Sequence, residues 1–68
     1  MTVGKKIQQT IASAEGVVAN LKTFALDTDN QQAKQMYNQL AQNTETIIQQ
    51  LKAREQQVMQ EEPQYNQQ

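Results

Sequence analysis

Apolar side chains at Val3, Ile7, Ile11, Ala14, Val18, Leu21 and Ala25 fall, from Ile7 onward, at alternating intervals of four and three residues, and few folds accept that spacing. The repeat draws a stripe along one face of an α-helix and has no counterpart in the two-residue period of a strand. Val17 and Phe24 flank the stripe. Thr2 is placed to cap the N-terminus, so the spacing predicts a first helix over about residues 3–26. Gly16 is its weak point, costing about 1 kcal/mol relative to Ala in a helix interior.

The next four residues, Asp27, Thr28, Asp29 and Asn30, carry side chains that bond their own backbone and compete with a continuing helix. Thr28 with Gln31 three residues on fits a capping box opening a second helix. A turn over 27–30 is short enough to make the two helices antiparallel neighbours. The second helix is expected over about 31–62, with Ala33, Tyr37, Leu40, Thr44, Ile47, Leu51 and Val58 on its seam and Met36, Ala41, Ile48 and Met59 in support. Arg54 interrupts that seam. Pro63 disfavours helix in the residue before it, leaving a short tail at 63–68. No strand pattern occurs, so the fold class is all-α: one domain over 1–68, an antiparallel two-helix hairpin.

A chain of 68 residues has little core to set against its conformational entropy, and with no Cys and no His it lacks both disulfide and zinc as reinforcement. Packed helices and oligomerisation remain. A first helix of about 36 Å and a second of about 50 Å leave Val58 and Met59 on an overhang, and each apolar stripe open on one side. Exposed strips of that kind mark interfaces. Two hairpins face to face would close a four-helix bundle or a larger helical assembly. The expected interface residues are Ile7, Ile11, Val18, Leu21, Leu40, Ile47, Leu51, Val58, Met59 and Tyr65, and the expected partner is the chain itself. Leu40 and Ile47 are expected mid-seam, buried both within the hairpin and between copies.

Several function classes fit poorly. Residues 1–26 carry a charge of +2 and residues 27–68 a charge of −3, for −1 in all, so neither half has the basic patch that nucleic acid requires. No apolar run is long enough for a membrane span, and no signal peptide is recognisable, which gives the expectation of a soluble intracellular protein without membrane insertion. Di-iron bundles combine inward Glu with Glu-x-x-His, and His is missing. Glu15 and Glu45 read as surface charges, and Glu55 beside Arg54 as an ion pair or interface contact. Ser13 and the threonines have no partner base. The expectation is no enzyme activity, no cofactor, no metal and no small-molecule substrate.

Fifteen residues are Gln. Gln35, Gln42, Gln49 and Gln56 recur every seven residues on the outer face of the second helix, where Lys and Glu would normally keep neighbouring proteins apart. The stripe reads either as a lateral contact, since amides both donate and accept hydrogen bonds, or as a solvated face. Ala12, Gly16, Ala19 and Thr23 form a face of small residues on the first helix with the same two readings. With both faces in contact, assembly would extend into a filament or lattice.

Phe24-Ala25-Leu26, Thr28, Asn30, Ala33-Lys34, Tyr37, Leu51, Arg54 and the ending Glu61-Glu62-Pro63-Gln64-Tyr65 resemble, over nearly the whole chain, a family of short proteins from spore-forming bacilli and clostridia catalogued as a domain of unknown function. The resemblance implies a setting in the sporulating cell or spore, with members often encoded beside components of the membrane channel for dipicolinic acid, and no established activity. Two functions follow as expectations. One is a non-enzymatic, self-associating structural protein of the spore or sporulating cell; the other is an accessory subunit docking onto that channel or another spore protein.

Overall fold

The computed structural model describes residues 3–61, the last of them by its backbone alone. Thr2, Pro63 and Tyr65, with the expectations attached to them, lie outside the described residues. Helix α1 runs Val3–Asp27 and helix α2 runs Gln31–Glu61, and the two pack against each other along their length. They form an antiparallel hairpin, all-α among the described residues, with extents of 51 × 16 × 10 Å, so it is one helix layer thick.

The turn is built differently from the capping box expected at Thr28. Thr28 donates its amide to the Phe24 carbonyl at 3.1 Å, finishing α1, and its hydroxyl accepts the Asn30 amide at 3.2 Å. That local bond turns the chain and moves the cap two residues on. Asn30 is the N-cap: its Oδ1 accepts the Ala33 amide at 3.0 Å, and its carbonyl accepts the Lys34 amide at 2.9 Å as the first bond of α2. Within the helices, the hydroxyls of Thr10, Thr23, Thr44 and Thr46 each donate to the carbonyl four residues back.

Two cross-helix ion pairs define the register. Lys22 Nζ lies 3.4 Å from Glu45 Oε2, and Lys52 Nζ lies 4.0 Å from Glu15 Oε2. With Gly4 on α1 and Ala41 on α2 taken as heptad position a, all four residues occupy e positions, the side-by-side e–e arrangement of an antiparallel coiled coil. Together with the short turn and the buried seam positions, the two pairs place Gly4 about level with Val58, Ile11 with Leu51, Ala14 with Ile48, Val18 with Thr44, Leu21 with Ala41, and Ala25 with Tyr37. Most layers pair a small side chain with a large one, which is how facing helices interlock without voids. Ile11, Val18, Ala41 and Ile48 form the core cluster, and Ile7, Ala14, Leu21 and Leu51 pack around it.

The stripe of α1 follows the expected spacing from Ile7 onward, with Gly4 rather than Val3 continuing it. On α2 the seam is rotated by one residue. Ala41 and Ile48 are buried, whereas Leu40 is 42% exposed and Ile47 52% exposed. The inner position at this level faces Leu21, and the small Ala41 takes it. The overhang is also corrected. Val58 is only 1% exposed and is the most buried large side chain of the hairpin. Because Asp27 is level with Gln35, α2 begins about one turn beyond the end of α1, and its far end is drawn back over Gly4.

Candidate functional site

A hairpin of two helices has two flanks, and here they differ in chemistry. The e flank carries Glu15, Lys22, Glu45 and Lys52 in their two pairs, and these residues line an open groove between the helices. The g flank carries Val17 and Phe24 from α1 and Leu40 and Ile47 from α2. All four are large and apolar, and each is between 42% and 52% exposed. Among the described side chains at the g positions only Arg54 is charged, and it lies toward the open end. In the hairpin register Val17 lies within two residues of level with Ile47, and Phe24 likewise with Leu40.

Helix geometry assembles this surface from residues that are scattered in sequence. Residues seven apart return to one side of a helix after nearly two turns, so Val17 and Phe24 align along α1, as do Leu40 and Ile47 along α2. The antiparallel hairpin then sets the two rows side by side. Met36, exposed one turn before Leu40, widens the strip on α2. Phe24 is held from beneath by Tyr37, with ring centroids 5.5 Å apart and planes tilted by 58°, a favoured aromatic geometry. Tyr37 is half-buried, and the contact fixes where Phe24 stands. The outer margin is uncharged near the centre of the strip, with Ser13 and Asn20 on α1 and Asn43 and Gln50 on α2.

The expected interface residues divide between the interior and the surface of the hairpin. Ile11, Val18 and Val58 are buried in the intrachain seam, and Ile7, Leu21 and Leu51 are half-buried beside it. Leu40, Ile47 and Met59 are exposed, and Tyr65 lies outside the described residues. Leu40 and Ile47 belong with Val17 and Phe24, which the spacing assigned to the margin of the α1 stripe. Glu55 is half-buried at a seam position opposite Ile7, and Arg54 Nη1 donates to Gln57 Oε1 at 3.2 Å. Gln35, Gln42, Gln49 and Gln56 are all exposed, as are Ala12, Gly16, Ala19 and Thr23.

Among the described residues no group of three or more carboxylates is placed to hold a metal ion. No helix among them is long and apolar enough to cross a membrane. No curated protein and no solved structure matches the chain. A family described as a protein of unknown function, DUF1657, matches residues 7–54, which takes in most of α1, the turn and α2 as far as Arg54, and stops before the Glu61–Tyr65 group. On that match the chain belongs to the DUF1657 family of proteins of unknown function.

Proposed function

We propose that this protein is a non-enzymatic, self-associating structural protein of the spore or sporulating cell. The observation that carries self-association is the apolar g flank. Leu40 and Ile47 sit in the middle of α2, where a lone hairpin leaves about half of each side chain in water, and contiguous apolar surface of this kind marks a contact site. Stability argues the same way. A layer 10 Å thick has no second layer to cover its flank, and domains are ordinarily built from at least two packed layers. The cellular setting rests on the resemblance to short sporulation proteins, and the structural role on a side-chain inventory without His or Cys. Sedimentation at micromolar concentration tests the reading. The expected result is an oligomer whose thermal transition rises with protein concentration; a well-folded monomer melting sharply at a fixed temperature would overturn it.

A further inference from the structure

We infer that the g flank is covered by a second copy of this chain in a closed two-fold dimer, with the turns of both hairpins at the same end and α1 of each copy lying on α2 of the other. This rests on the self-association reading and adds the surface, the stoichiometry and the arrangement.

The occupant follows from the chemistry of the strip. Its centre is uncharged, so the Val17–Ile47 and Phe24–Leu40 layers of two copies meet without like-charge repulsion while Arg54 stays at the open end of the footprint, and the centre offers an acidic or basic partner nothing to pair with. The charges of the hairpin's middle lie on the opposite flank, already matched within one chain. Size agrees as well. The g positions from Val3 to Phe24 span about 32 Å at 1.5 Å per residue, and two helices side by side are about 20 Å wide. That footprint of about 640 Å² is close to the roughly 800 Å² each partner gives to a standard interface.

The arrangement follows from the register. A two-fold axis parallel to the helices places Val17 of one copy against Ile47 of the other, and Phe24 against Leu40. Because Val17 and Ile47 are already neighbours within each chain, and so are Phe24 and Leu40, two complete four-residue layers form. These are core layers of a four-helix bundle whose adjacent helices are all antiparallel. The alternative, with turns at opposite ends, brings Asp27 near Lys6 of the other copy, but full overlap then sets the apolar end of each strip against the polar end of its mate. Exposed ion pairs contribute about 0–1 kcal/mol, less than burial of even one large apolar side chain, so the apolar match decides. With a single apolar flank, association through it is isologous and closes at two copies.

The test uses sedimentation and cross-linking of the full chain. The parent should be a dimer over the concentration range in which it associates, with no larger species. Ile47→Glu should raise the dimer dissociation constant about 100-fold or more, since it would bury two like charges, while Lys52→Ala on the e flank should leave it unchanged. The chain has no Cys, so single cysteines report geometry without background. An equimolar mixture of Val17→Cys and Ile47→Cys chains should oxidise to a covalent dimer containing one of each, faster than either variant forms a dimer alone. A monomeric parent would remove both the self-association reading and this inference. An oligomer untouched by Ile47→Glu, one that grows beyond two copies, or preferential linking of Val17→Cys to itself would overturn the inference and leave the self-association reading standing.

Discussion

Ile47 and Ile48 are chemically identical neighbours on one helix, and the hairpin treats them oppositely. Ile48 is 6% exposed, against 52% for Ile47. Truncation to Ala removes three carbons in each case, about 2.4 kcal/mol of transfer free energy if fully buried at about 0.8 kcal/mol per group. For Ile48 nearly all of this is lost, together with a cavity term, because the layer opposite is Ala14 and cannot fill the gap. For Ile47 about half is lost. Both changes regain a few tenths of a kcal/mol, since Ala is the better helix former. Ile48→Ala should therefore cost about 2–3 kcal/mol and Ile47→Ala about 1 kcal/mol in the isolated hairpin. Urea titration followed by helical circular dichroism, at a dilution where the parent is monomeric, measures both. Equal costs, or a larger cost for Ile47, would refute the seam through Ala41 and Ile48. Repeating the pair at high concentration separates intrachain from interchain burial: the Ile47 cost should climb toward that of Ile48 if a second copy covers the g flank.

Three further changes probe the helices and the turn. Gly16 is exposed and a Cβ built there meets nothing within 4 Å, so Gly16→Ala should stabilise the hairpin by about 0.5–1 kcal/mol in the same titration. Asn30→Ala removes the acceptor that caps α2 and should cost about 1 kcal/mol, whereas Thr28→Ser, which keeps an acceptor for the Asn30 amide, should cost less. The two cross-helix pairs are about half exposed, so raising salt from 0.1 to 1 M should change unfolding free energy by less than about 1 kcal/mol.

The hairpin was legible because each signal had one candidate. On α1 the apolar Ile11 favours the register through Val18 and Ala25 over the one that would run through the polar Thr10, and the polar cluster at residues 27–30 permits a single turn. On α2 two registers fit equally well. Tyr37, Leu40, Thr44, Ile47 and Leu51 keep heptad spacing, and so do Tyr37, Ala41, Thr44, Ile48 and Leu51. Continuing toward Val58, one meets Arg54 and the other Glu55, so charge does not separate them. Choosing the larger side chain at each fork gives Leu40 and Ile47. What decides is packing against the other helix, where Ala41 and Ile48 join Ile11 and Val18 in the core. The position of Val58 depended likewise on where α2 starts relative to α1, which follows from the turn and the Asn30 cap taken together. The interaction strip was hidden by the same fork: with Leu40 and Ile47 placed inside, Val17 and Phe24 had no neighbours to make a surface.

The ion pairs contribute little energy, yet their pattern constrains how the helices can align. In the observed register Lys22 meets Glu45 and Glu15 meets Lys52. Sliding α2 by one heptad in one direction would preserve the apolar spacing while bringing Lys22 beside Lys52. Sliding it one heptad the other way would bring Glu15 beside Glu45. Each slip loses both attractive pairs and creates a repulsive one, and unlike charges at e positions are a known means of selecting one alignment of a coiled coil over another. The turn acts on the same choice. A slip requires either unwinding residues at the end of α1 or drawing residues of α2 into the connection, and the Asn30 cap would be lost in the second case. A seam of small-on-large layers has an interlocking pattern that repeats only approximately from heptad to heptad, so packing alone discriminates weakly between neighbouring registers. Two exposed pairs and one capped turn therefore specify the alignment that places Val17 beside Ile47 and Phe24 beside Leu40, whereas a slip of one heptad would leave one such apolar pair in place of two.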